Sequence, residues 1–149
     1  MARVHRPDYE GTYHHVVIRG VDGLPIFDTD TKRKTFLNMI QDTRRTHDIQ
    51  LFAFGFLNNH WHGFLRRAQR AMSRFVQTVK SRYTVWYNNE YGRTGTLYDG
   101  RYHSSIVESD SYFQMVWHYV QTQGVKAGLY EDPVEDPGST ARLYAGEDD

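Results

Sequence analysis

The chain has no cysteine among its 149 residues, which excludes disulfides and every zinc site built on thiolates. It has no run near the roughly 18 apolar residues of a membrane span. Its opening, MARVHRPDYEG, carries no apolar block of the kind found in a secretory signal. No low-complexity tract or internal repeat is visible. A cytoplasmic globular protein with no membrane association is the expectation, and the length suits one domain with a sizeable core rather than two.

Acidic residues are also missing from one long stretch. None falls between Asp48 and Glu90, whereas Arg66, Arg67, Arg70, Arg74, Lys80 and Arg82 all do. The formal net charge of zero hides this asymmetry, because seven acids and only Arg142 among the bases lie from Glu131 onward. Residues 1–130 therefore hold 17 basic and 11 acidic residues, a net +6. A one-sign block suggests a polyanionic partner, nucleic acid first, although a solvated helix face reads equally well.

What is present divides into clear elements. YHHVVIRG (Tyr13 to Gly20) reads as a strand, followed by the breaker-rich turn VDGLPIFD. Thr29, Asp30 or Thr31 would cap a helix to about His47, with Phe36, Leu37 and Ile40 at helical spacing. IQLFAFGFL and HWHGFLR form an antiparallel hairpin about Asn58-Asn59. Met72, Phe75, Val76, Val79, Tyr83, Trp86 and Tyr87 recur at steps of three and four, the mark of an amphipathic helix closed by Gly92 or Gly95. LYDGRYHSSIV ends as a loop or short strand near Val107. Ser109 or Asp110 would then cap a last helix through about Gln123, with Gly124 ending it. The order β-α-β-β-α-β-α fits an α+β fold, a ferredoxin-like split βαβ antiparallel sheet with helices on one face. The domain spans 1–130, and 131–149 reads as an acidic, flexible tail.

LNNHWHGFL is the stretch that carries chemistry. On a strand, His60 and His62 share one face while Trp61 takes the other. Two adjacent imidazoles can converge on one divalent ion, but such a pair is more often hydrogen-bonded core or surface histidine, and a metal site needs a further ligand. The last helix offers Tyr119 and Gln123, four residues apart on one margin of its apolar stripe. By pattern alone Tyr119 reads more readily as a rim residue and Gln123 as a helix-end polar group.

In order along the chain, YHHVVIRG, IFDTDTKRKTFL, NHWHGFL, SRYTVWYNNEYGRTGTLYDGRYHSSIV and HYVQTQGVKAGLYEDP resemble the HUH single-tyrosine transposases. The likeness is greatest to their REP-associated tyrosine transposase branch, and it covers roughly residues 7–133. It implies that His60 and His62 bind a divalent cation, that Tyr119 is the nucleophile, and that Gln123 takes the place of the third ligand. The family's usual Tyr-Ile-x-x-Asn-Pro-Val-Arg-Ala-Gly block departs here to Gln123-Gly124 for Asn-Pro and Lys126 for arginine. Asn58 replaces a usual proline.

The resemblance further implies a DNA strand transferase that nicks and rejoins single-stranded, hairpin-bearing DNA through a 5′-phosphotyrosine, using Mg²⁺ or Mn²⁺. Its partner would be single-stranded DNA with hairpin or repeat ends. A homodimer is possible for such proteins, with a monomer the favoured form here. Arg66, Arg67, Arg70, Arg74, Arg101, Tyr102 and Lys126 are the candidate DNA contacts. Tyr98 and Tyr102 could instead be packing residues, and His14, His15, His103 and His118 receive no catalytic role. Two other readings stand beside this one: a catalytically silent DNA-binding relative, and a metal-dependent phosphoesterase that uses water.

Overall fold

In a computed structural model, residues 10–68, 71–107, 109–126, 128, 131, 132, 136 and 138–141 are described. Arg70, one of the candidate DNA contacts, lies outside them. The elements follow the expected order. They are β1 (Tyr13–Arg19), a 3-10 turn (Val21–Gly23), α1 (Asp30–His47), β2 (Ile49–Phe56), β3 (His60–Arg67), α2 (Met72–Tyr91) and β4 (His103–Val107). Then come α3 (Asp110–Gln121) and the short α4 (Gln123–Lys126).

Local chemistry explains the boundaries. The Thr29 hydroxyl accepts the Lys32 amide at 3.2 Å and so starts α1, while Asp48 at φ 52° ends it. Ser109 caps α3 in the same way, through the Tyr112 amide. Gly92 takes the left-handed conformation that ends α2, at φ 61°, which costs a glycine little.

All neighbouring strands are antiparallel, in the order β2-β3-β1-β4. This is the split βαβ sheet, and its alternation divides the molecule into two cores. On one face Val16, Ile18, Phe56, Trp61 and Leu65 meet the stripes of α1 (Phe36, Ile40) and α2 (Phe75, Val76, Val79, Tyr83). Phe27, Phe36, Phe56, Trp61 and Tyr83 interlock there with ring centroids 4.7–6.0 Å apart, pairs worth about 0.5–1.5 kcal/mol each beyond area burial.

The third helix departs from the expectation of helices on one face. α3 covers the opposite face, burying Val116 and Val120 against Ala53, Phe64 and Val107. Tyr13, Phe52, Phe64 and Phe113 cluster beneath it, with Phe64 and Phe113 centroids 4.7 Å apart. Antiparallel sheets with two apolar faces must cover both, and the first face is already filled by α1 and α2. A register shift between Leu51 and Ala53 in β2 adjusts that strand to its partner.

Two details fix where α3 ends. A Cβ on Gly55 would overlap the Val120 carbonyl oxygen, so only glycine lets the helix backbone approach the sheet here. The helix then breaks at Thr122 rather than at Gly124, which lies within α4. The Tyr119 carbonyl gathers the amide of Thr122 (3.2 Å), its hydroxyl (3.2 Å) and the Gln123 side-chain amide (2.7 Å), which tightens the last turn.

Within 131–149, where a flexible tail is expected, Asp136, Ser139 and Thr140 are buried. Phe56 N donates to Gly138 O at 3.0 Å, and Thr140 N to Phe54 O at 3.1 Å, so this segment covers the edge of β2. Ser139 Oγ donates to the Gln121 carbonyl at 2.9 Å, tying the segment to the end of α3. Residues 133–135, 137 and 142–149 lie outside the described set.

Gly55→Ala should destabilise the protein by about 1–3 kcal/mol, the usual range for forcing volume into a packed contact. Urea unfolding monitored by fluorescence measures this. Unchanged stability would mean that α3 does not rest on Gly55.

Candidate metal and nucleophile site

The second face of the sheet carries the histidines as alternation requires. On β3, His60, His62 and Phe64 point to the α3 side and Trp61 and Leu65 to the other. On β1, His15 shares that side with Tyr13. His62 lies opposite Val17, and His15 lies opposite Phe64, so the two histidines are diagonal neighbours. His15 Nε2 and His62 Nδ1 are 3.0 Å apart, and their rings stack with centroids at 5.2 Å. His60 and His62 ring centroids are 5.0 Å apart.

α3 delivers its tyrosine to this cluster. The Tyr119 ring stands edge-on to both His15 and His62, 5.6 Å from each. Lys126 from α4 places Nζ 3.8 Å from the Tyr119 ring centroid, a cation–π contact. Gln123 is buried beside Gly55, its Cβ 3.9 Å from where a Gly55 Cβ would stand. Because its Nε2 donates to the Tyr119 carbonyl, its Oε1 remains as a lone-pair donor. Tyr119, His60, His62, Gln123 and Lys126 therefore come together within one chain.

The donor set fits a divalent cation. Asn59 Oδ1 accepts from His60 Nδ1 at 2.7 Å, which leaves the His60 Nε2 lone pair bare. His62 Nε2 is buried with no hydrogen-bond partner, an unusual state for a ring nitrogen unless another group completes it. Among the described residues no group of three or more His, Cys, Asp or Glu is arranged to hold a metal. A site here would be completed by the amide oxygen of Gln123. Burial first, then the charges of His15, His60, Arg19 and Lys126, push the His62 imidazole down to about 2. Burial lowers His15 and His60 to about 4, with Arg19 adding to the effect on His60. All three are neutral at pH 7, as metal-binding imidazoles must be.

The remaining candidate contacts spread out. Arg66 and Arg67 sit at the far end of β3, about 20 Å of strand from His60 at about 3.3 Å per residue. With Arg44, Arg45, Glu10 and Asp48 they line a cleft of about 420 Å³. Arg74 is exposed on α2, across the sheet from the histidines. Arg101 and Tyr102 line a groove of about 920 Å³ with Lys80 and Gln77 of α2, on the face of the sheet opposite the histidines, although Asp99 N donates to Arg19 O at the His60 end of β1. Tyr98 is a packing residue: it is buried, and its hydroxyl donates to the Lys80 carbonyl at 2.9 Å. His14 is likewise structural, held by Thr12 and Ser104 on the other face. Sequence reasoning missed His15 and Arg19, which only pairing across strands brings to the site, and also Asn59, whose place beside His60 was the signal for its contact with Nδ1.

The model of the family described as "Transposase IS200 like" matches residues 8–123. The chain belongs to this family. Among solved structures it is similar to a REP-associated tyrosine transposase bound to a REP hairpin. That match has a TM-score of 0.84 at 16% identity and covers 99% of this chain and 87% of the other. It is also similar to a protein from Deinococcus radiodurans described as a transposase, with a TM-score of 0.55 at 14% identity, covering 83% of this chain and 96% of that one. At these identities the likeness establishes the fold, a four-stranded antiparallel sheet with three main helices. No curated protein matches significantly. Among the described residues no helix is long and apolar enough to cross a membrane.

The neutral histidines of this IS200-like transposase predict a pH dependence. A histidine lowered in the folded state takes up its proton more readily when unfolded. Its contribution is thus complete above about 6.5 and is lost as the pH falls from there through about 4. Burial raises the Asp136 carboxyl and works in the opposite sense, so a difference measurement is needed. Denaturation of metal-free protein between pH 7 and pH 4.5 should show a steeper loss of stability for wild type than for His62→Gln. Parallel curves would contradict the burial of a neutral imidazole at 62.

Proposed function

We propose that this transposase nicks and rejoins single-stranded, hairpin-bearing DNA, with Tyr119 as nucleophile and a divalent cation held by His60, His62 and Gln123. The observation that carries the reading is the approach of the Tyr119 ring to His15 and His62 of its own chain, next to an unpartnered imidazole nitrogen. A cation bound there, Mg²⁺ or Mn²⁺ by its nitrogen and oxygen ligands, would supply Lewis-acid stabilisation of phosphate charge.

The chain's own groups account for the rest. The phenol oxygen of Tyr119 attacks phosphorus and loses its proton. The bond to the 3′ oxygen breaks, leaving a 5′-phosphotyrosine and a free 3′-hydroxyl. Attack by another 3′-hydroxyl runs the same exchange backwards, so strands rejoin without an external energy source. Lys126 adds positive charge beside the phenol, and the Thr122 and Gln123 contacts hold the Tyr119 backbone in place. Arg101 and Tyr102, at the same end of the sheet but on its α2 face, suit DNA that passes around that end. Arg66, Arg67 and Arg74 suit more distant backbone phosphates. The structural relative bound to a REP hairpin supports a hairpin substrate. Assembly of the site within one chain supports a catalytically competent monomer.

Incubation of a labelled single strand bearing a hairpin with Mn²⁺ should give a covalent protein–DNA adduct that Tyr119→Phe abolishes. Binding with no cleavage would identify a silent DNA-binding relative. Cleavage retained in Tyr119→Phe would identify a phosphoesterase that uses water.

A further inference from the structure

We infer that His15 is a positioning residue that sets which nitrogen of His62 carries the proton, and so presents the His62 Nε2 lone pair to the cation; this rests on the metal site proposed above. The hydrogen bond between His15 Nε2 and His62 Nδ1, 3.0 Å long, can be drawn in two ways. If His15 donates, His62 keeps its hydrogen on Nε2, a buried atom with no acceptor in reach. If His62 donates through Nδ1, its Nε2 holds a bare lone pair in the same dry position, which is what a cation requires. A hydrogen-bond acceptor on the far nitrogen is how ligating imidazoles are commonly oriented.

The two ligands are oriented by different means. His60 has a carboxamide oxygen at Nδ1, from Asn59, which can only accept. His62 has an imidazole there, and the stacking of the two rings at an interplanar angle of 20° holds it in place. The Tyr119 ring closes over both at 76° and 78°. Loss of the acceptor at 15 would free His62 to take the other tautomer or to turn its ring. The cation and the phenol would then lose their common reference, although neither is touched directly by the change.

The test is Mn²⁺ binding to full-length, DNA-free protein, followed by calorimetry. Three variants at 15 separate acceptor from bulk. His15→Gln keeps an acceptor at the reach of Nε2, His15→Asn is polar but too short, and His15→Leu fills space without accepting. Leu and Asn should weaken Mn²⁺ binding about 10-fold or more, the usual scale for a lost partner of a metal ligand, and Gln should restore most of it. Gln and Asn binding equally well would overturn the inference even if Leu fails to fold. Wild-type affinity in His15→Leu would also overturn it. His62→Ala distinguishes the two levels. If that variant loses Mn²⁺ while the position-15 variants do not, only the role of His15 fails. If it binds as wild type does, the metal site fails and the role of His15 with it.

Discussion

The contact between α3 and the second face of the sheet is the constraint on which the site depends. His60 and His62 are fixed by their strand, but Tyr119 and Gln123 reach them only because the helix backbone comes down onto Gly55. Val116 and Val120 fill the space above Ala53 and Phe64, and Phe113 locks the start of the helix into the Tyr13–Phe52–Phe64 cluster. A helix held at both ends in this way sets the tyrosine ring to within a rotamer of the imidazoles. Such placement is what the proposed in-line attack at phosphorus demands.

The two faces do different work. The first, packed by α1 and α2, has the larger core and contains the largest ring assembly. The second is smaller and interrupted by polar groups: three imidazoles, a phenol, a carboxamide and an ammonium. Burying three imidazoles in a half-dry site costs polar hydration, and below about pH 6.5 it also opposes their protonation. Coverage of the β2 edge by residues 138–140 adds support at the point where α3 ends, through Ser139 and Gln121.

Much of this was legible in the sequence. The hairpin and the short sets of capping candidates that include Thr29 and Ser109 follow from local turn and cap chemistry, the stripes of α1 and α2 follow from periodicity, and alternation alone put His60 and His62 on one side. What escaped has a common physical origin in contacts between residues distant along the chain. His15 becomes a neighbour of His62 only through the antiparallel register of β1 with β3. Gly55 reads locally as a weak strand residue, though it is where a helix touches the sheet. The face taken by α3 depended on which face α1 and α2 had already filled. The break at Thr122 comes from three donors converging on one carbonyl. Residues 138–140, rich in small and polar side chains, look like solvent-exposed tail until they meet β2.

The central claim is that one chain gathers a cation and its nucleophile on the same face of the sheet. Anomalous X-ray scattering from crystals grown with Mn²⁺ tests it most directly. The account predicts a single strong peak bonded to Nε2 of His60 and of His62 and to Oε1 of Gln123, with the Tyr119 hydroxyl of the same chain facing it. A peak bound elsewhere, or a Tyr119 that turns away and is replaced by one from a second copy, would contradict it.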